Sequence, residues 1–334
     1  MLFGLLPLLG LALSGCGRDT ANDPSASLNG GSDAFERVAI QLNWYPEAEH
    51  GGVYQAQASG IYADAGLQVD IRPGGPSAPI AGELTLGRCQ FAIANADDVV
   101  HFRREGADIV AVAAVVQNSP RCILVQTASG VDSLDKLKGL TLQCEAGRGF
   151  VEFMRKQGLL EGVREVPYAG SVAPLVADAK IAIQGYAFTE PLMAKQAGAE
   201  VNELMVSSIG WNPYSSVLVT TGDLVRDQPE LVQSMVDATL RGWRDYLTDA
   251  AQANVAILEA NRHGLTAETL EYGAAKLREL ALPEQASLDT IGQMQASRWD
   301  TLVEQMDSLA DENDRGKVKA QDCFTLQFLP SPKS

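Results

Sequence analysis

Gln41-Leu42-Asn43-Trp44-Tyr45-Pro46-Glu47-Ala48-Glu49-His50-Gly51-Gly52-Val53-Tyr54 is the stretch on which the fold turns. It follows the apolar run Val38-Ala39-Ile40, which reads as a strand, and leads into a helical segment, Val53 to Ala58, that stops at Gly60. After Ile61-Tyr62 comes a second strand, Leu67 to Ile71, so the unit is strand, turn, helix, strand. In an open α/β sheet, ligands lie beyond the carboxyl ends of strands. This loop is rich in groups that bind: Trp44, Tyr45 and Tyr54 offer ring faces, and Glu47, Glu49 and His50 offer polar contacts. Gly51-Gly52 would let a backbone N–H approach a ligand closely. The competing reading is a Trp/Tyr cluster packed as core beside an ordinary turn.

Outward from that unit, strands and helices keep alternating. Gly74-Gly75-Pro76 marks a turn, Ile80 to Leu86 a helix, and Phe91-Ala92-Ile93-Ala94 a short buried strand. Asn95-Ala96-Asp97 can cap the helix that carries Val99, Val100 and Phe102. Val110 to Val116 is uninterruptedly apolar, as expected of a strand covered on both faces. Near Gln117 to Pro120 the chain changes lobe. Cys122 to Gln126 then reads as a strand, Leu134 to Leu137 as a helical turn, Leu140 to Gln143 as a strand and Phe150 to Gln157 as a helix. Ala179 to Ile183 is a strand, Thr189 to Gln196 a helix with Pro191 in its first turn, and Val217 to Thr220 a strand returning to the first lobe. From Asp223 to about Leu309 the pattern is helical, and no internal repeat is visible. The fold class is α/β with two lobes, a ligand cleft between them and two hinge crossings. Lobe 1 is discontinuous, 35–116 and 218–330, and lobe 2 is 117–217.

The bulk properties agree. The 334 residues, 46% hydrophobic and 20% charged, exclude wholesale disorder and suffice for two lobes. A formal charge of −16 argues against nucleic acid and against an anionic membrane face, because both require a basic patch. The first fifteen residues are almost all apolar and too short to remain a transmembrane helix. They end in Leu13-Ser14-Gly15-Cys16, which resembles the lipobox of bacterial lipoproteins and implies a signal peptide, 1–15, with lipid on Cys16; a plain secretory signal is the alternative. The run lacks the Lys or Arg that usually precedes it, which an upstream start codon would supply. Residues 16–34, made of small and polar types, read as a flexible tether. Cys89, Cys122, Cys144 and Cys323 have no C-x-x-C spacing, so no metal site is expected, and their disulfide pairing stays open.

The run N-W-x-P-x-x-x-H-x-G, followed by a helix, Gly60-Ile61-Tyr62 and Gly66-Leu67-Gln68-Val69-Asp70-Ile71, resembles the opening of substrate-binding proteins of ABC importers. The family meant is the periplasmic binding protein type 2 group that takes thiamine pyrimidine precursors, nitrate, taurine and alkanesulfonates. A second match, Ala177 to Pro191, resembles that family's strand ending in an aromatic loop and a Glu-Pro helix start. The resemblance implies a monomeric extracytoplasmic protein on the periplasmic side. It would be lipid-anchored, bind a small molecule without catalysis or cofactor, and hand it to a permease subunit.

If the lobes face each other as in that family, one side of the cleft collects Trp44, Glu47, His50, Gly52, Tyr54, Asn95 and Asp97, and the other Glu145, Arg148, Tyr186, Glu190 and Tyr214. His50 and Asn95 could equally be satisfied structural groups, and Glu190 also suits a helix N-terminus. Acids outnumber bases in this set. Nitrate or a sulfonate needs cationic donors, and only Arg148 is an obvious one, whereas a flat heterocycle with amino groups would stack on the rings and donate to the carboxylates. A thiamine pyrimidine precursor-like ligand is therefore expected ahead of nitrate, taurine or alkanesulfonate. The chain also resembles the fungal thiamine-pyrimidine synthase, whose cofactor-holding lysine and substrate histidine correspond to Ala94 and Asp98 here. That departure disfavours the enzyme. A sensor or adhesion lipoprotein on the same fold is the third class.

Overall fold

Among the described residues there are ten strands, most of them formed where short apolar runs are bounded by glycine, proline or polar residues. They are β1 (Glu36–Gln41), β2 (Leu67–Arg72), β3 (Phe91–Ala94), β4 (Ile109–Val116), β5 (Arg121–Gln126), β6 (Thr141–Cys144), β7 (Arg164–Pro167), β8 (Ile181–Tyr186), β9 (Val201–Met205) and β10 (Ser215–Thr221). The computed structural model describes residues 35–76, 78–284 and 286–330; the apolar segment 1–15, Cys16 and the tether to residue 34 lie outside them.

The strands divide into two mixed sheets of order β2-β1-β3-β10-β4 and β7-β6-β8-β5-β9. In the first, β1 is parallel to β2 and β3, and β10 is antiparallel to β3 and β4. In the second, β6 is parallel to β7 and β8, and β5 is antiparallel to β8 and β9. The two orders match slot for slot. In each lobe, the antiparallel strand is the one that has just arrived from the other lobe. This is the two-lobed α/β architecture expected from the sequence, and its repeat lies in topology rather than residues. Every residue of β3 and β4 is buried, as in a sheet covered on both faces.

Among the elements not anticipated are β7, β9 and the helices Ile61–Asp64, Ala173–Ala177 and Ala320–Cys323. Within β7 only Val166 and Pro167 are apolar, and no residue of the strand is buried, so no hydrophobic alternation marks it. The strand expected at 179–183 forms two to three residues later, at Ile181–Tyr186. The helical C-terminal part is broken between Ala281 and Ala296 by a loop holding one 3-10 turn, Leu288–Thr290.

The chain passes between lobes twice, at 117–120 and 206–214, and side chains tie the crossings together. Asn212 Oδ1 accepts from the Ser119 N–H at 2.7 Å, and its amide donates to Asn118 Oδ1 at 3.0 Å. Arg298, from the helix Ala296–Leu309, donates to the Gln117 carbonyl at 2.6 Å and to the Asn212 carbonyl at 2.8 Å. The same helix touches both lobes, pairing Arg104 with Asp307 and accepting Lys156 at the Ser308 carbonyl.

Behind the first sheet, helix Gly51–Ala58 packs on the long helix Pro229–Thr248. A Cβ on Gly52 would fall 2.2 Å from Trp243, and one on Gly242 would fall 2.2 Å from the Gly52 carbonyl. Glycines at these positions let the two helices approach each other. Gly51-Gly52 therefore serves helix contact, not a ligand. Cys89, Cys122, Cys144 and Cys323 are all buried free thiols, and burial raises the pKa of each.

Candidate functional site

The carboxyl ends of β1 and β3 in one lobe face those of β6 and β8 in the other. The segments that leave them line a cleft of about 750 Å³, within the range of small-molecule sites. After β1 come Asn43, Trp44, Glu47 and Glu49; after β3, Asp98 and Phe102; after β6, Glu145 and Arg148; and at the end of β8, Tyr186 and Glu190. In each sheet the chain runs first to one side and then to the other of the first parallel strand, so β1/β3 and β6/β8 are the points where strand order reverses, the place where loops part to leave a crevice.

Of the residues singled out in the sequence, Trp44, Glu47, Glu145, Arg148, Tyr186 and Glu190 line this cleft. His50, Gly52, Tyr54, Asn95, Asp97 and Tyr214 do not. His50 is fully buried. Its Nε2 lies 2.9 Å from Asn43 Oδ1, and its Nδ1 accepts the Glu47 N–H at 3.3 Å. Burial drops its pKa to about 3, so the ring is neutral and the nearby Glu49 oxygen at 3.4 Å is not an ion-pair partner. Tyr54 belongs to the core behind the first sheet. Tyr214 is buried against Trp299 and under the Arg298 guanidinium, 3.9 Å from the ring centroid, and its hydroxyl accepts from the Gln295 N–H. Asn95 caps the helix Ala96–Arg104 and supports Tyr186 from behind, donating to its hydroxyl at 3.2 Å. Asp97 lies on the same helix, its pKa raised to about 6 by burial and by the neighbouring Asp98.

The acids at the base of the cleft are tightly set. Glu47 Oε2 accepts from Thr189 Oγ1 of the opposite lobe at 2.9 Å. Its pKa is well above the usual carboxylate range, through burial first and then the charges of Glu49 and Glu190. Glu190 Oε2 accepts the Tyr186 N–H at 2.8 Å, and Oε1 the Tyr168 hydroxyl at 3.5 Å. Burial raises its pKa despite those bonds. Glu190 thus both organises the turn before its helix and faces the cleft.

Cations are few. Arg148 donates to Asp98 across the cleft at 2.8 Å and to Glu145 at 3.0 Å, and Arg155 is paired with Glu152 and Glu165. Arg121, the first residue of β5, was not anticipated. It has no carboxylate within ion-pairing distance among the described residues, and instead lies 4.2 Å from the Tyr186 ring centroid and donates to that hydroxyl at 3.0 Å. Tyr168 and Phe102 add rings that the sequence did not single out. Tyr168 follows the unanticipated β7. The signal for Arg121 was its place just after Pro120, where the chain enters the second lobe.

A mixed-sheet pair enclosing a cleft at its strand ends is a two-lobed ligand-binding fold. Its overall form is similar to the periplasmic aliphatic sulphonate binding protein SsuA from Escherichia coli, with a TM-score of 0.68, 14% identity, and coverage of 90% of this chain and 95% of that one. In sequence, the chain is 24% identical over 267 residues to the riboflavin-binding protein RibY of Chloroflexus aurantiacus, covering 74% of each. It is 34% identical over 134 residues to the formylaminopyrimidine-binding protein of Halalkalibacterium halodurans, covering 40% of this chain and 38% of that one. A 4-amino-5-hydroxymethyl-2-methylpyrimidine phosphate synthase of Legionella pneumophila is 22% identical over 225 residues, covering 63% and 69%. Residues 47–253 match the NMT1/THI5-like family model, and the chain belongs to that family.

Proposed function

We propose that this protein is the solute-binding component of an ABC importer, and that it captures a small flat heterocycle outside the cytoplasmic membrane without transforming it. The observation that carries the reading is the composition of the cleft. Trp44, Tyr186, Tyr168 and Phe102 supply ring faces, Glu47, Glu49 and Glu190 supply acceptors, and of the cleft's arginines Arg121 has no ion-pair partner among the described residues while Arg148 and Arg155 do. An inorganic anion or sulfonate would have to enter beside the buried carboxyl groups of Glu47 and Glu49 and the half-buried one of Glu190, an electrostatic cost that a neutral or basic heterocycle avoids. The names of the relatives in riboflavin and formylaminopyrimidine binding support the same class, with a thiamine pyrimidine precursor-like ring as the reading carried from the sequence. Ala94 and Asp98, where the resembling synthase has its lysine and histidine, support binding over catalysis. Anchoring through Cys16, and delivery to a permease that recognises the closed form, complete the proposal.

Thermal-shift measurements with an aminopyrimidine, riboflavin, taurine and nitrate test it. A ligand that binds only the native state raises the melting temperature, by an amount that grows with its concentration over Kd. One of the two heterocycles should do so. Stabilisation by taurine or nitrate alone would overturn the assignment.

A further inference from the structure

One polar group at the base of the cleft is left unsatisfied by the rest of the protein. The Glu49 side chain is 1% exposed, lines the cleft, and neither of its oxygens has a hydrogen-bond partner among the described residues. Its neighbours are already engaged. Glu47 accepts from Thr189, Glu190 accepts from Tyr186 and Tyr168, and the His50 ring is occupied by Asn43 and the Glu47 N–H. The Arg121 charge and the Asn43 side chain, a hydrogen-bonding neighbour, both hold the Glu49 pKa down, and His50 Nε2 lies 3.4 Å from Oε1, but none of the three closes a bond of good geometry. A buried acceptor without a donor is costly, and such groups in native proteins call for a functional explanation.

We propose that Glu49 is the ligand-anchoring group of the cleft. It selects heterocycles that carry an N–H donor beside a ring-nitrogen or carbonyl acceptor, with the donor meeting Glu49 and the acceptor meeting Arg121. The proposal rests on the heterocycle reading given above and adds which edge of the ring is read and by which side chains. Two ligand types share that edge: an aminopyrimidine, with its exocyclic N–H beside a ring nitrogen, and a flavin, with its imide N–H beside a carbonyl. Burial raises the Glu49 pKa to about 7, with Glu190 and Asp98 adding to the rise and Arg121 opposing it. Both protonation states therefore occur near neutrality, and both accept an N–H.

The test uses calorimetry at pH 8 on the wild type, Glu49→Gln and Glu49→Ala. The probes are 4-amino-5-hydroxymethyl-2-methylpyrimidine alongside its 4-dimethylamino analogue, and riboflavin alongside its imide N-methyl analogue. The wild type should favour the N–H form of one probe by at least about tenfold, the worth of one hydrogen bond to a charged acceptor, and the responding probe identifies the ligand type. In Glu49→Ala the preference should fall to about threefold or less. Without ligand, Glu49→Gln should melt above the wild type at pH 8, since a desolvated charge has been removed. A preference unchanged in Glu49→Ala would overturn the role of Glu49, as would a ligand-free Glu49→Gln that melts lower, because the carboxyl would then be structural. If neither heterocycle binds the wild type, the heterocycle reading itself fails, and this inference with it.

Discussion

Replacing Arg148 with glutamine should loosen the closed cleft. Its Nη1 donates to Asp98 Oδ1 at 2.8 Å from the opposite lobe, with the two side chains 33% and 16% exposed. A charge-assisted hydrogen bond contributes about 1.5–3 kcal/mol when buried, and solvent at a partly exposed pair reduces that to roughly 1–2 kcal/mol. Because the bond exists only with the lobes together, its loss should shift the open–closed equilibrium about 5- to 30-fold toward open. If ligand binds the closed form, Kd should weaken by no more than that factor. Asp98 would keep its place, since its other oxygen still accepts from the Asn95 N–H at 3.1 Å. Small-angle scattering without ligand reads the opening as a larger radius of gyration, and calorimetry reads Kd. Raising salt should mimic the substitution in the wild type and change the variant less, as the screening length shrinks from about 10 Å at 0.1 M to about 3 Å at 1 M. A variant with unchanged radius and a Kd within about twofold of wild type would refute the reasoning.

Other substitutions separate recognition from architecture. Trp44→Ala removes a half-buried ring from the cleft wall and should weaken binding about 5- to 150-fold, by loss of about 1–3 kcal/mol of stacking, while circular dichroism and melting stay near wild type. Gly242→Ala, whose new methyl would meet the Gly52 carbonyl at 2.2 Å and Ala56 Cβ at 2.7 Å, should cost about 1–3 kcal/mol in urea unfolding by forcing the helices apart. For His50, the folded pKa of about 3 lies below the ordinary 6.5, so the unfolded chain binds more protons between those values. Stability should therefore fall as pH drops from about 6.5 toward 3, at up to about 1.4 kcal/mol per pH unit from this group. Glu49 acts oppositely, with stability lost as pH rises from 4.5 to about 7. The His50 part should be isolated by comparing wild type with His50→Gln across that range, and parallel pH curves for the two would contradict it.

Elements with a periodic or uninterrupted apolar pattern were legible in the sequence. β1, β4 and the long helix Pro229–Thr248 announce themselves because burial on one or both faces dictates their residues. The cleft was legible only as far as the rule about strand ends reaches. That rule places Trp44, Glu145 and Tyr186 correctly, but it gives no direction to a side chain. Tyr54 and Tyr214 have the same chemistry as Tyr186, yet they turn into cores assembled from residues far along the chain. Gly52 shows the same limit, since the reason for a glycine there is Trp243, 191 positions later. Glu49 was named among the polar groups of its loop. Its distinction from Glu47 depends on Thr189, which approaches one carboxyl and not the other.

Arg298 holds the carbonyls of both inter-lobe crossings, yet it lies 181 residues after Gln117 and 86 after Asn212. As the polypeptide emerges from its N-terminus, the second lobe, 117–217, can condense before this arginine exists, while the first still waits for Trp299, Leu302 and Cys323 to fill its core. The pivot between them is finished last. An incomplete chain should therefore be a finished lobe loosely jointed to an unfinished one, with little hold on a solute, and capture should switch on late in biosynthesis, when the closing helix docks.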